Sequence, residues 1–209
     1  MAAWMQKCAL VMVAMAWTAS GCQSTHDRFN ARTVLLRNTI YYVALQSDHP
    51  PGRDALFVDR AGTVLVRGSK AFKKAALIEG TAKLTDGRVL NVDRKVGRSW
   101  RWKFVKATYG LGAICPLVPF RSVAVDRSVV NLWSVLFIPR TKGMLLPSGK
   151  RHDGIWHAVD TGGAIRGDRI DLFGGAGRRV TRVFASHGIR HLQALRVDIT
   201  GRLKRCPRE

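Results

Sequence analysis

The chain has 209 residues, with 35 Lys and Arg against 14 Asp and Glu, and a net charge of +21. Hydrophobic residues make up 46% and charged residues 23% of the sequence. This composition excludes intrinsic disorder and is typical of one globular domain with a buried core. Only Glu79 and Glu209 are glutamates, so carboxylate chemistry is expected to depend almost wholly on aspartate.

The first residues have the pattern of an export signal. Residues 1–21 comprise a short positive start, an unbroken apolar run over Cys8–Trp17 and the small residues Thr18–Gly21. The apolar run is too short to cross a membrane as a helix of the mature protein. The cysteine that follows makes the segment resemble a bacterial lipoprotein signal, cleaved before a lipidated Cys22. We therefore expect an envelope protein with a lipid anchor in the outer membrane, facing the periplasm; ordinary secretion is the alternative.

An exported protein meets little nucleic acid, so the positive charge does not predict a nucleic-acid partner. Lipid head groups and the carboxylates of cell-wall peptides are the expected polyanions, and a solvated basic surface is the alternative. Cys115 and Cys206 remain after the signal is removed. A disulfide between them can persist in an oxidising compartment, where it would join the carboxy-terminal tail to the loop at 112–116.

Strand-like segments dominate the rest of the chain. Residues 22–33 are polar and predict a tether, 34–78 predict an amino-terminal β-rich extension, and 201–209 form a basic tail. Ser69 is a predicted cap of a helical turn, and Asp86-Gly87 predicts a hairpin. Further strands are expected near 121–126, 133–138, 155–160, 168–173 and 191–199, with a helix near 176–186. Many short strands between glycine-rich turns favour a small β-barrel.

The segment with the most chemical content is DTGGAIRGDRIDLFGG, residues 160–175. Its glycines, Gly162 and Gly163 among them, allow positive φ and close approach of the backbone to a ligand. Asp160 and Asp171 are expected side by side on adjacent strands, and Asp126 ends another strand upstream. Three aspartates at strand ends can serve acid–base catalysis, bind a divalent cation or cap turns, and the residue pattern leaves these possibilities open.

Two motifs, FRSVAVDRS (120–128) and AVDTGGAIRGDRIDLFGG (158–175), resemble the 3D domain, which is named for its three aspartates. This domain forms the catalytic part of membrane-bound lytic murein transglycosylases. The resemblance implies a mainly β fold, a six-stranded double-psi β-barrel over 79–200. By motif position it implies that Asp126, Asp160 and Asp171 are the catalytic set, with Asp171 as the acid/base.

The implied reaction is cleavage of the β-1,4 bond between N-acetylmuramic acid and N-acetylglucosamine in peptidoglycan. A transglycosylase needs a single acid/base because the muramoyl 6-hydroxyl is the nucleophile and closes a 1,6-anhydro ring. No cofactor is expected. The alternative is a non-catalytic lipoprotein that binds peptidoglycan glycan strands.

Several residues around the motif are candidates for substrate contact. Gly162, Gly163 and Arg166 lie within it, and Trp133 and Trp156 lie near it in sequence. Trp100, Trp102 and Phe104 alternate along a strand and are expected mainly in the core. No metal site is predicted, because the spacing of His152, Asp153 and His157 matches no zinc pattern.

Overall fold

A computed structural model describes residues 31–208. The predicted signal at 1–21, Cys22 and most of the predicted tether lie outside these residues. The strands and helices are β1 (Arg32–Leu45), β2 (Ala55–Val58), β3 (Val64–Gly68), α1 (Lys70–Glu79), β4 (Thr81–Lys83), β5 (Val89–Val96), β6 (Ser99–Val105), β7 (Ser122–Val125), β8 (Ser134–Phe137), β9 (Ile155–Asp160), β10 (Arg169–Ala176), α2 (Thr181–Ser186) and β11 (Ala194–Arg202). Single 3-10 turns occur at Gln46–Asp48, Pro139–Thr141 and Arg178–Val180. Within the described part of the chain, no helix is both long and apolar enough to cross a membrane.

Six strands form a closed barrel in the order β10-β7-β9-β8-β11-β1, and a parallel pairing of β1 with β10 closes it. The β7–β9 pair is also parallel, and the other four pairs are antiparallel. Closure removes the unpaired edges that an open sheet exposes. The barrel interior is filled by large apolar side chains that include Leu136, Trp156 and Leu172. The predicted mainly β, six-stranded barrel is confirmed, and the double-psi connection pattern stays a prediction.

A smaller lobe continues the sheet beyond the barrel. The last residues of β1 pair with β4, and β5 and β6 follow in antiparallel order. The β2–β3 hairpin and α1 pack on this sheet around Phe57, Phe72 and Trp102. We call α1 with β2–β6 the small lobe.

The predicted domain boundaries differ from the observed architecture at β1. The sequence pattern predicts an extension outside the barrel at 34–78 and a barrel domain at 79–200 that includes β4–β6. The structure instead uses β1 as a barrel strand and places β4–β6 in the small lobe. Fourteen extended residues span about 46 Å, so β1 can serve both sheets: it pairs with β10 up to Val43, after a bulge that follows Tyr41, and with β4 from Ala44.

Local signals predicted several element ends correctly. The Ser69 hydroxyl accepts a hydrogen bond from the Phe72 amide and caps α1. Gly80 ends that helix with φ 75°, a conformation that favours glycine. Asp86-Gly87 joins β4 to β5, as the hairpin signal indicated.

A disulfide joins Cys115 to Cys206, with 5.6 Å between their Cα atoms. It crosslinks positions 91 residues apart and fastens the carboxy-terminal tail to the loop after β6. The pairing that the sequence allowed is therefore present. The first residues of the predicted tail, 201–202, belong to β11.

Candidate functional site

A groove of about 470 Å³ lies between one face of the barrel and the small lobe. The barrel contributes four residues to its lining, Tyr41, Ala124, Asp160 and Asp171. The small lobe contributes residues that include Glu79, Thr81, Asn91 and Trp100, and a third side comes from the loop at 111–113 together with 161–163. Two of the three motif aspartates therefore share one groove.

Asp171 lies in β10, with Thr39 of β1 opposite it on one side and Ala124 of β7 on the other. Its Oδ1 atom is buried and has no hydrogen-bond partner among residues 31–208. Burial raises the pKa of Asp171 to about 7, although the Thr39 hydroxyl and the charge of Arg169 oppose the rise. An ionised oxygen without a partner is costly in such a place, so much of this carboxyl is still in its neutral form near pH 7.

Asp160 ends β9 and has an opposite environment, because donors surround its carboxylate. Its Oδ1 accepts hydrogen bonds from the amides of Ala113 (3.0 Å) and Thr161 (2.8 Å). Its Oδ2 accepts one from the Tyr41 hydroxyl at 2.9 Å. Burial raises the pKa of Asp160, and these three donors oppose that rise. Because all three neighbouring groups donate to this carboxylate, they stabilise its ionised form and fix its orientation.

The two aspartates are not on adjacent strands, contrary to the sequence prediction. Ala124 of β7 pairs with Asp171 on one side and with Asp160 on the other, so β7 separates them. Two strand spacings place their backbones about 9–10 Å apart. Even so, the charge of Asp160 contributes to the raised pKa of Asp171.

Asp126 does not line the groove. It follows β7, where its Oδ1 accepts hydrogen bonds from the Ser128 amide (2.9 Å) and hydroxyl (2.8 Å). Its Oδ2 accepts one from the Gly167 amide at 2.8 Å. These bonds lower the pKa of Asp126 to about 2. The carboxylate thus fastens the turn after β7 to the glycine-rich connection between β9 and β10.

The loop at 110–117 is held firmly beside the groove. The Asn91 side chain donates to the Leu111 carbonyl and accepts from the Leu111 amide, both at 3.0 Å. A Cβ on Gly112 would lie 2.9 Å from the Val159 carbonyl oxygen and 3.1 Å from the Asp160 Cβ, so only glycine fits there. The disulfide at Cys115 is a further fastening. The Ala113 amide is therefore held in place as a donor to Asp160.

The glycines predicted to contact substrate, Gly162 and Gly163, both line the groove. Neither position requires glycine because of positive φ. In the segment between β9 and β10, positive φ occurs at Gly167. A Cβ on Gly162 would lie 2.8 Å from Ile165 Cγ1, whereas a Cβ on Gly163 would meet open space. Gly162 is therefore needed for packing, and Gly163 leaves room on the groove side.

The other predicted contact residues lie elsewhere. Trp156 is fully buried in the barrel, where its Nε1 donates to the Thr141 hydroxyl at 2.9 Å. Its predicted substrate contact is wrong, because β9 directs this position into the core. Trp133 is part-exposed but does not line the groove. Arg166 is exposed outside the groove, and its charge contributes to the low pKa of Asp126.

Two groove residues were missed by sequence reasoning. Trp100 was assigned to the core together with Trp102, but Trp100 is 42% exposed and Trp102 only 1%. Trp102 packs in the core of the small lobe, whereas Trp100, two residues before it on β6, lies beyond that core. Glu79 closes α1 in the small lobe and also lines the groove. The only sequence signal for Glu79 was that glutamate is rare in this strongly basic chain.

Within residues 31–208 no group of three His, Cys, Asp or Glu side chains is arranged to hold a metal ion. Buried His152 is used structurally: its Nδ1 accepts the Gly154 amide at 2.8 Å, and its Nε2 lies 2.6 Å from the Phe120 carbonyl oxygen. The groove therefore offers carboxyl groups as its chemically active side chains.

Comparisons with known proteins agree with this architecture. Residues 121–189 match the family model of the 3D domain. MltA from Escherichia coli, solved with bound chitohexaose, is 17% identical with a TM-score of 0.55, and the alignment covers 81% of this chain and 72% of that one. A membrane-bound lytic murein transglycosylase from Agrobacterium tumefaciens is 16% identical with a TM-score of 0.54, covering 81% and 76%. No curated protein matches the sequence. Residues 121–189 are thus similar to the 3D domain, and the fold of the chain is similar to that of the MltA lytic transglycosylases.

Proposed function

We propose that this protein is a peptidoglycan lytic transglycosylase. It would cleave the MurNAc-β-1,4-GlcNAc bond and form 1,6-anhydro-MurNAc. The 3D domain and the MltA-like fold support this class of reaction. The observation that carries the proposal is the carboxyl of Asp171, which lines a groove, has an unpartnered buried oxygen and has a pKa of about 7.

A transglycosylase requires a neutral acid beside the glycosidic oxygen. Asp171 donates its proton to that oxygen as the bond to the muramoyl C1 breaks. The muramoyl 6-hydroxyl then attacks C1 and closes the anhydro ring, and in the single-residue mechanism the Asp171 carboxylate takes the hydroxyl proton. Glycosidases that use water instead need a second carboxylate to activate it or to form a covalent intermediate.

Asp160 acts on this reaction through its charge. Three donors stabilise its ionised form, and a negative charge in the groove disfavours ionisation of Asp171. The carboxylate also stabilises positive charge as it develops on the sugar ring. Asp126 is a positioning residue, because it connects the turn after β7 to the connection that precedes Asp171.

Trp100 and the glycine-lined side of the groove supply the glycan contacts. The Trp100 ring is exposed at the groove, where its apolar face can pack on a sugar. Gly163 also belongs to the lining, and a Cβ there would meet open space. The bound chitohexaose of the E. coli MltA structure supports glycan chains as the ligand class.

The envelope is the proposed location. The signal pattern and Cys22 support a lipid anchor, and the outer membrane facing the periplasm gives such a protein access to the murein layer. The predicted pairing of Cys115 with Cys206, present in the structure, suits an oxidising compartment.

The test is digestion of purified murein sacculi by the full-length protein in detergent, with mass spectrometry of the products. We expect 1,6-anhydro-muramoyl ends from the wild type and almost none from Asp171→Asn. Asp168→Asn is the matched control, because Asp168 lies in the same segment but pairs with Arg37 on the surface. Reducing ends instead of anhydro ends would indicate a hydrolase. No products, with equal co-sedimentation of wild type and Asp171→Asn with sacculi, would leave the non-catalytic binding lipoprotein.

A further inference from the structure

Positive charge is concentrated on the β5–β6 hairpin of the small lobe. Residues 93–103 contain five Lys and Arg side chains and one carboxylate, Asp93. The Asp93 side chain is only 9% exposed, and its Oδ2 accepts hydrogen bonds from Arg60 Nε (3.0 Å) and Nη2 (2.8 Å). Lys103 Nζ lies 3.4 Å from Asp93 Oδ1, and Arg94 Nε lies 3.7 Å from Oδ2. One carboxylate is thus shared by three cations, which leaves a surplus of positive charge.

Arg101 adds a fourth cation, which forms no salt bridge with a carboxylate of residues 31–208. It lies directly opposite Arg94 in the β5–β6 pair, and like charges in opposed positions are destabilising. Its Nε is buried and has no hydrogen-bond partner in the described part of the chain. Such a donor lowers stability unless an acceptor reaches it. A carboxylate ligand would satisfy Arg101, because a guanidinium donates two parallel hydrogen bonds to a carboxylate.

These cations lie beside an extension of the groove. A second cavity, of about 340 Å³, shares five lining residues with the groove, and Lys103 belongs to its lining. Arg101 and Lys103 are two residues apart and therefore share one face of β6. Trp100, the proposed sugar contact, directly precedes Arg101, and β6 is the last strand of its sheet. A substituent on a sugar packed against Trp100 therefore meets the open edge of β6, where the two cations lie.

We propose that Arg101 and Lys103 form a binding site for the carboxylates of the peptide stem that murein carries on its muramoyl residues. The inference rests on the proposed function and adds to it a preference for glycan strands that keep their stems. On the barrel side of the groove, the ionised form of Asp160 repels the same carboxylates. Charge therefore directs the stem away from the barrel and towards the hairpin.

Basic side chains on an edge strand also have a structural use, since they keep the edge from pairing with another chain. That use requires only a charge, whereas carboxylate binding requires the paired donors of a guanidinium beside the groove. Arg101→Gln removes the charge, and Arg101→Lys keeps the charge but loses the paired donors. Arg98→Gln is the matched control, because Arg98 is an exposed cation in the turn of the same hairpin and lines neither cavity.

The test compares three soluble substrates of the full-length protein in detergent. The first is glycan strands with their stems, the second is strands stripped of stems by an amidase, and the third is strands whose stem carboxyls are chemically amidated. Mass spectrometry of released 1,6-anhydro ends gives kcat/KM for the wild type and for each variant. Equilibrium binding of the same three substrates is measured with Asp171→Asn, alone and combined with Arg101→Gln, so this readout does not depend on cleavage.

We expect the wild type to prefer stem-bearing strands about 10-fold over stripped or amidated strands, the equivalent of one hydrogen bond to a charged group. Arg101→Gln should lose this preference and keep the wild-type kcat/KM on stripped strands. Arg101→Lys should keep part of the preference, and Arg98→Gln all of it. The melting temperature of Arg101→Gln should equal or exceed that of the wild type, because the repulsion with Arg94 is removed.

Two sets of results would overturn the stem site and the proposed function separately. If the wild type releases anhydro ends equally from the three substrates, or if Arg101→Gln lowers kcat/KM equally on all of them, the stem site is excluded and the proposed function stands. If no substrate yields anhydro ends, the proposed function fails. The binding measurement then decides the stem site, which is excluded if Asp171→Asn binds stem-bearing and stripped strands equally and supported if Arg101→Gln abolishes a difference between them.

Discussion

The groove floor around Asp171 and the turn at Asp126 belong to one three-aspartate pattern, yet they give the same side chain opposite pKa shifts. At Asp126 three donors surround an accessible carboxylate, and its pKa is lowered to about 2. At Asp171 burial leaves one oxygen without a partner, and the pKa is raised to about 7. The difference is due to the surroundings, since the residue type is the same: Asp126 follows the end of β7, whereas Asp171 lies within β10.

This contrast shows that the three aspartates of the pattern have different roles. A carboxylate held by donors is a connector between loops, and a carboxyl with few donors in a low-dielectric groove is a proton carrier. Asp160 is intermediate, because it lies in the groove but has three donors.

The largest effect is expected on activity. Asp171→Asn should reduce the rate of anhydro-end formation about 10²–10⁴-fold, because it removes the proton donor. Asp126→Asn should reduce the rate much less, because this residue positions the connection before Asp171 from outside the groove and carries no proton in the reaction. Initial rates on sacculi measure both; a similar loss in the two variants would contradict the division of roles.

Removal of the disulfide tests how far the loop at 110–117, beside the groove, depends on a long-range crosslink. Replacing both Cys115 and Cys206 by Ala should lower the free energy of unfolding by about 4–5 kcal/mol, from the chain-entropy cost of a loop this long. Urea unfolding measures the change. The loop that supplies Ala113 should loosen as well, and activity should fall.

A reducing agent is the control for this experiment. It should lower the stability of the wild type towards that of the double variant and leave the variant unchanged. Equal stability of wild type and variant under oxidising conditions would mean that the crosslink contributes nothing.

The pH dependence of stability should have opposite signs for the two aspartates. The pKa of Asp171 is raised above its ordinary 3.8, so its unfavourable contribution grows as pH rises from about 4 to about 7. Asp171→Asn should therefore melt higher than the wild type at pH 8. The pKa of Asp126 is lowered, so its stabilising contribution is present above pH 4 and lost as pH falls towards 2.

Asp126→Asn should accordingly melt lower than the wild type at pH 7, with the difference shrinking in acid. Calorimetry at several pH values measures both trends. A melting temperature of Asp171→Asn below that of the wild type at pH 8 would contradict the assigned burial of a neutral acid.

Asp160→Asn tests whether the charge of Asp160 helps to raise the pKa of Asp171. The charge of Asp160 raises the pKa of Asp171, so its removal should shift the basic limb of the pH–rate profile to lower pH. Activity at pH 8 should then fall more than activity at pH 6. Tyr41→Phe is the control, because it removes one donor to Asp160 and keeps the charge; an unshifted limb in Asp160→Asn would exclude this coupling.

The smallest effect is expected at the groove rim. Trp100→Ala should raise KM for a soluble glycan about 2- to 12-fold, the equivalent of about 0.5–1.5 kcal/mol of aromatic contact, with kcat little changed. Phe104→Ala is a matched control, since Phe104 is on the same strand and similarly exposed, 38% against 42%, but does not line the groove. Equal effects of the two would remove the glycan role of Trp100.

Sequence reasoning identified the motif aspartates, the barrel class and the disulfide pair, because each has a local or compositional signal. It could not place Trp156 or Trp100 correctly. Strand alternation identifies two faces but does not say which one is covered or how far along the strand the cover extends, so it did not separate exposed Trp100 from buried Trp102. Glu79 has no motif, and it reaches the groove only through the packing of α1 against β1.

The sequence by itself determined the strand segments, the hairpin at Asp86-Gly87, the cap at Ser69 and the motif that contains Asp126, Asp160 and Asp171. These depend on backbone preferences and short-range hydrogen bonds, which a few neighbouring residues specify. Only the tertiary structure decided that β1 belongs to the barrel and the small lobe together, that β7 lies between Asp160 and Asp171, and which carboxyl is neutral. Strand partners, burial and donor supply come from residues far apart in the chain, so no local pattern contains them.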